Sequence, residues 1–157
     1  MAPDGPTERF VVCPDPASTS ALGVSLGAVA RPGDLICLWG DLGAGKTHLA
    51  KAIGLGLGVT ATITSPSFIL MAEYDGRLPL FHVDLYRLAD AADALAGGLI
   101  DDRQSAGLTL VEWPERLFEA LPADRLDVLI DGSGEEPRAI RVRAIGPRYG
   151  PYLESLG

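Results

Sequence analysis

Residues 40 to 47 constrain the chain more than any other segment. They read Gly-Asp-Leu-Gly-Ala-Gly-Lys-Thr, follow directly on the unbroken apolar run Leu35 to Trp39, and lead into a stretch where Leu49, Ile53 and Leu57 recur at helical spacing. A strand with no polar alternation is buried on both faces, as in a parallel sheet. Strand, glycine-rich turn and helix together form the context in which G-x-x-x-x-G-K-[ST] wraps a phosphate. Gly40, Gly43 and Gly45 free the backbone to turn successive N–H groups inward around an anion, with Asp41, Leu42 and Ala44 between them. The helix starting near Lys46 adds the partial positive charge of its N-terminus to the same point. Lys46 then reaches the β- and γ-phosphates of a nucleotide, and the Thr47 hydroxyl takes one position on Mg²⁺.

The rest of the chain alternates strand and helix patterns. Arg9 to Cys13 predicts a strand, and Asp15 or Ser18 caps a helix on which Leu22, Leu26 and Val29 share a face, ending near Arg31-Pro32-Gly33. Glycines 54, 56 and 58 weaken the helix after the phosphate loop. Further strands are expected at Ile69 to Tyr74, Leu78 to Val83, Leu108 to Glu112, Leu126 to Asp131 and Ala139 to Ala144, with Asp75-Gly76 as a hairpin turn signal between the first two. Helical or irregular segments fill Ala89 to Asp102 and Pro114 to Leu121. This order predicts an α/β fold of the P-loop NTPase kind, a mixed and mostly parallel sheet flanked by helices. At 157 residues one domain is expected, spanning residues 1–145, with a Gly/Pro-containing C-terminal tail at 146–157.

Charge narrows the partners. Asp plus Glu number 21 against 13 Lys plus Arg, a formal net charge of −8, so free-standing binding to DNA or RNA backbones is disfavoured. The exception is Pro137 to Leu153, which carries Arg138, Arg141, Arg143 and Arg148 and no acid. It is either a solvated strand face or an electropositive contact for a partner or tRNA. The 21 residues from Ala52 to Ala72 carry no charge, but Pro66 and the glycines, threonines and serines among them argue against a membrane span. Cys13 and Cys37 form no C-x-x-C pair and sit among apolar neighbours as core thiols. With no secretory pattern at the N-terminus, the expected location is the cytoplasm.

A Mg²⁺-nucleotide site also needs acids at strand ends. Two apolar strands end in one, Leu80-Phe81-His82-Val83-Asp84 and Leu108-Thr109-Leu110-Val111-Glu112. Carboxyl ends of parallel strands are where such sheets put their ligands, so Asp84 and Glu112 are both candidates for metal binding or water orientation, and spacing leaves open which does which. Thr64-Ser65-Pro66-Ser67-Phe68 is a hydroxyl-rich turn in the place of a nucleotide switch, with Ser67 its candidate ligand. Trp113, next to Glu112, is a candidate stacking surface or partner anchor, while Trp39 is expected in the core.

Taken together, the loop Gly40 to Thr47, the Ser65-Pro66-Ser67-Phe68 turn, His82-Val83-Asp84-Leu85-Tyr86-Arg87-Leu88 and Val111-Glu112-Trp113-Pro114 resemble the TsaE family in order and spacing, over roughly Pro14 to Ala144. Ser67 stands where the family usually has Thr, His48 replaces a second Thr and is expected to be peripheral, and Gly97-Gly98-Leu99-Ile100 departs from the family pattern. The resemblance implies a weak ATPase of threonylcarbamoyladenosine formation in tRNA, using ATP and Mg²⁺. Its nucleotide state would drive association with the proteins TsaD and TsaB, and it would meet tRNA only through that complex. It also implies Thr47 and Glu112 as metal contacts, Asp84 as the catalytic or water-orienting acid and possible further metal ligand, Ser67 as part of a switch, and Pro16 and Arg138 near the base or phosphates. The absence of any asparagine removes the Asn-Lys-x-Asp element that reads guanine, so adenine is expected. A P-loop small-molecule kinase is the alternative, though no arginine-rich lid interrupts the strands.

Overall fold

The computed structural model describes residues 7–41, 43–63, 71–86 and 102–156. The expected strands form one seven-stranded sheet: β1 (Glu8–Cys13), β2 (Leu35–Trp39), β3 (Met71–Tyr74), β4 (Leu80–Asp84), β5 (Leu108–Glu112), β6 (Arg125–Asp131) and β7 (Arg138–Ile145). Their order across the sheet is β1-β7-β6-β2-β5-β4-β3. The central strands β6, β2, β5 and β4 pair in parallel, whereas β7 and β3 run antiparallel to their neighbours. Every residue of β5 is buried, Thr109 and Glu112 included, as in a strand covered on both faces.

Helices α1 (Pro16–Ala28) and α2 (Lys46–Gly56) cover one face. Asp15 caps α1: its Oδ1 accepts from Ser18 N at 2.8 Å, while Ser18 Oγ accepts from Asp15 N at 3.3 Å. The glycines that lower helix propensity serve the contact between the two helices. A Cβ at Gly27 would lie 2.1 Å from the Ile53 carbonyl oxygen, and one at Gly56 would lie 2.2 Å from that of Val24. The obstructing atoms are backbone, so they cannot rotate away. Gly27→Ala is therefore expected to cost about 1 to 3 kcal/mol, read as a lower thermal unfolding midpoint.

The connection from β3 to β4 is longer than a tight hairpin, since Tyr74 pairs with Leu80 and residues 75–79 stand between them. Those residues dock on the ends of both helices. Arg77 N donates to Leu57 O at 2.8 Å, and its guanidinium donates to the carbonyls of Gly27 and Ala30 at 3.1 and 3.0 Å. It thereby adds a side-chain donor at the C-terminal end of α1, where Gly27 O also accepts from Ala30 N at 3.3 Å.

The main core lies between the sheet and α1 and α2, built around Leu26, Leu38, Leu49, Ile53, Leu110 and Val128. A smaller core on the opposite face joins Leu35, Cys37, Val83, Leu85, Val111 and Leu117. Both cysteines are buried and unbonded, and burial pushes the Cys37 thiol far above its ordinary pKa. The segment expected as a tail contributes to the main core. After Gly146 the chain forms a 3-10 turn and the short helix α3 (Gly150–Glu154), and Tyr149, Tyr152 and Leu153 are buried. The Tyr149 hydroxyl accepts from Leu35 N at 2.9 Å, and the Tyr152 hydroxyl donates to buried Asp34 at 2.5 Å. Proline and glycine here shape a packed corner, so the core runs through residue 153.

The four arginines expected as a basic strip disperse. Arg141 and Arg143 both reach Glu8 Oε1, at 3.4 and 3.1 Å, Arg148 pairs with Asp34 at 2.5 Å, and Arg138 turns to the phosphate loop. No helix among the described residues is long and apolar enough to cross a membrane.

Candidate nucleotide site

The sequence-predicted residues gather at the carboxyl ends of β2, β5 and β4. Gly40 leaves β2, and Gly45 caps α2 at φ +103°, a conformation that a side chain would strain. Thr47, in the first turn of α2, donates its hydroxyl to Glu112 Oε1 at 3.2 Å and Oε2 at 3.4 Å. Glu112 ends β5 almost wholly buried, at 3% exposure, and stands opposite Asp84 in the parallel register of β4 and β5. Asp84 Oδ1 accepts from Tyr86 N at 3.0 Å. Thr47 and Glu112 are therefore in contact, with Asp84 on the neighbouring strand end.

Lys46 folds back over its own loop. Its ammonium donates to the carbonyls of Gly40 and of Asp41, the latter at 3.2 Å, and lies 3.9 Å from the centroid of the Trp113 ring. Burial lowers its pKa below the ordinary lysine value, against the opposing charges of Glu112, Glu115, Asp41 and Asp84. The four carboxylates around Lys46 reduce the net attraction that its charge offers a polyphosphate. Trp113 itself has φ +60°, the one non-glycine residue in that region among the described residues, at a cost of about 1 to 3 kcal/mol. Its ring meets Tyr86 at 5.0 Å between centroids.

Beside the loop lies a cleft of ≈ 480 Å³ lined in part by Pro16, Thr19, Gly45, His48 and Arg138. Arg138 braces its rim, with Nε donating to Ala44 O at 2.8 Å and Nη2 to Gly134 O at 3.1 Å. The structure thus brings Pro16 and Arg138 to one cleft next to the phosphate loop. His48, expected to be peripheral, belongs to the cleft wall, with Nε2 3.0 Å from Ser20 Oγ and 3.2 Å from the Pro16 carbonyl oxygen. Two residues after Lys46, about half a turn of helix, it faces α1, a direction that the helical period alone does not settle without knowing where α1 packs. Trp39 is only partly buried. Its indole N–H donates to Asp127 at 2.8 Å, and the ring lines a second cleft with Gly40 and Asp41. Its place at the end of β2 explains the difference from expectation, because the strand leaves the core there.

His82 also belongs to the site, behind Glu112. Its Nε2–H donates to Glu112 Oε2 at 2.6 Å, and the ring is fully buried. A histidine inside an otherwise apolar strand was the available signal. Leu42, Ser67 with its turn, and Ala89 to Asp101 lie outside the described residues.

The donor set fits Mg²⁺ as a co-ligand of phosphate. Thr47 and Glu112 offer hard oxygens, and among the described residues no group of three His, Cys, Asp or Glu side chains forms a cage by itself. Mg²⁺ in nucleotide sites takes one or two protein oxygens and completes its shell with phosphate and water.

The family model described as threonylcarbamoyl adenosine biosynthesis protein TsaE matches residues 13–140. Among curated proteins, the chain is 42% identical over 143 residues to the tRNA threonylcarbamoyladenosine biosynthesis protein TsaE of Bacillus subtilis, covering 90% of this chain and 89% of that one. It is 40% identical to the protein of the same name from Streptomyces coelicolor, covering 82% and 91% of the two chains. Among solved structures, the crystal structure of Bacillus subtilis YdiB superposes with a TM-score of 0.77 at 37% identity, covering 95% of this chain and 93% of the other.

Proposed function

The chain belongs to the TsaE family, with its role in tRNA threonylcarbamoyladenosine biosynthesis, and from that premise we propose that it is a Mg²⁺-dependent ATPase of low intrinsic turnover that switches its partners. Its partners are TsaD and TsaB, it meets tRNA through their complex, and it engages neither DNA nor membrane; its place is the cytoplasm. The observation that supports the ATPase reading best is the contact of Thr47 with Glu112 beside the lysine of a phosphate loop.

Each residue has a distinct task. The amides from Gly40 to Thr47 receive the phosphates, and Lys46 leaves its resting place on the Gly40 and Asp41 carbonyls to reach them. Thr47 and Glu112 hold the cation, and Asp84 orients water from the adjacent strand end. When bound, Mg²⁺ would supply charge neutralisation for the phosphates. The cleft walled by Pro16, His48 and Arg138 receives the base, and Ser67 joins the site from the switch turn.

Titration calorimetry with ATP, ADP and GTP, with Mg²⁺ and with EDTA, tests this reading. ATP is expected to bind more tightly than GTP, and EDTA to weaken binding, because four carboxylates crowd the only lysine of the site. Equal affinities for ATP and GTP, or binding unaffected by EDTA, would contradict it. The pH dependence has a definite sign. Lys46 in the free protein loses its proton below the ordinary lysine pKa of 10.5, whereas bound phosphates favour the charged form. Binding in the alkaline range therefore takes up a proton, and affinity falls as pH rises through the free-state value. Flat affinity across that range would show that Lys46 does not meet the phosphates.

A small-molecule kinase is separated by Trp113. The ring covers Lys46 and touches Tyr86, so a nucleotide that draws Lys46 away should change its fluorescence. Trp113→Ala is expected to weaken binding to TsaD–TsaB by about 2 kcal/mol, the range of a truncated aromatic anchor, and to weaken ATP binding less. A kinase has no cause for that asymmetry, and equal losses, or none in either, would remove this support for the partner switch.

A further inference from the structure

We infer that His82 is a positioning residue, which holds the Glu112 carboxylate so that its other oxygen faces Thr47 and the cation. The inference rests on the Mg²⁺-nucleotide reading of the site and extends it to a residue that touches neither nucleotide nor metal. Thr47, Glu112 and His82 form a line from the loop into the core. Thr47 Oγ1 is 3.2 Å from Glu112 Oε1 and 3.4 Å from Oε2, and His82 Nε2 is 2.6 Å from Oε2, so His82 engages one oxygen and leaves Oε1 to Thr47 alone.

The packing around His82 explains nothing about why an imidazole stands there. Its neighbours along β4, Leu80, Phe81 and Val83, are buried hydrophobics, and Leu110, its register partner on β5, is fully buried. An apolar side chain would fill the same space without the cost of burying a polar ring. His82 Nδ1 is buried and has no hydrogen-bond partner among the described residues. Among the described residues the ring's one polar contact is thus the Glu112 carboxylate, a contact that an apolar side chain could not make. Glu112, in turn, would be a buried carboxylate with a single side-chain donor if His82 were apolar, free to rotate away from Thr47.

The test measures the Mg²⁺ concentration needed for half-maximal nucleotide binding, a quantity independent of turnover, together with thermal unfolding. His82→Leu is expected to raise that concentration about 10-fold or more, the usual cost of losing a residue that orients a metal ligand. His82→Gln, whose amide nitrogen reaches about as far as Nε2, should stay within about 3-fold of wild type, whereas the shorter His82→Asn should behave like Leu. In a Glu112→Gln background the His82→Leu effect should vanish, because the two residues act as a unit. If His82→Leu does not fold, the contrast between Gln and Asn decides the matter. An unshifted Leu or Asn variant, a Gln variant shifted as far as Asn, or a His82 effect of the same size without the Glu112 carboxylate would overturn the inference. Those outcomes leave the site reading intact, whereas wild-type binding with no Mg²⁺ dependence would overturn the site reading and the role of His82 with it.

Discussion

Lys46→Ala is expected to abolish measurable ATP turnover, a loss of about 10³-fold or more, while the protein stays folded. Lys46 is the only lysine of the loop, and no other cation among the described residues is placed to replace it, because Arg138 is committed to the Ala44 and Gly134 carbonyls. Removal of one well-placed electrostatic group in an active site costs about 10² to 10³ in rate, and here the loss of binding adds to it. Folding should survive for a separate reason. The ammonium's contacts are with the carbonyls of Gly40 and Asp41 and with the Trp113 face, and burial opposes its charge. A circular dichroism melt close to wild type, with turnover absent, is the predicted pair of results. Retained hydrolysis would mean that the loop does not hold the phosphates.

Glu112→Gln is expected to lower turnover about 10²-fold or more with little change in stability. The amide keeps an acceptor for His82 Nε2–H and fills the same space, so the substitution isolates the carboxylate charge from the packing. Glu112→Ala should lose as much turnover and, in addition, leave the buried His82 donor unpaired, which costs about 1 to 3 kcal/mol. Comparison of the two in a turnover assay and a thermal melt separates chemistry from structure. Asp84→Ala is expected to lower turnover by a comparable factor. Wild-type turnover in the Glu112→Gln, Asp84→Ala double variant would make both acids structural.

The site's main line was legible because local sequence dictates it. A glycine-rich turn between an apolar run and a helical period leaves few conformations open, and the two acids that close β4 and β5 lie beside it wherever those strands are parallel neighbours. The remaining features depend on contacts between distant segments. Gly56 looks like a helix breaker until α1 is laid on α2, where its lack of a Cβ, together with that of Gly27, permits the approach. Gly146, Pro147 and Pro151 look like a tail until Tyr149 and Tyr152 reach Leu35 and Asp34, more than a hundred residues earlier in the chain. His48, which is exposed, and Trp39, which packs against the smaller core, likewise owe their surroundings to neighbours supplied from elsewhere, Ser20 and Asp127. The arginines Arg138, Arg141, Arg143 and Arg148 show the limit of charge counting: Arg141 and Arg143 share one strand face and one acceptor, Glu8, whereas Arg148 pairs with Asp34 and Arg138 turns to the phosphate loop.

Multiple-turnover formation of threonylcarbamoyladenosine on tRNA by reconstituted TsaD and TsaB, with this protein, ATP and Mg²⁺, tests the proposed switch most directly. Repeated rounds with the wild-type chain, and no more product with Lys46→Ala than in its absence, are the expected results. Equal stimulation by wild type and Lys46→Ala would show that the chain acts without using its nucleotide and would contradict the proposal.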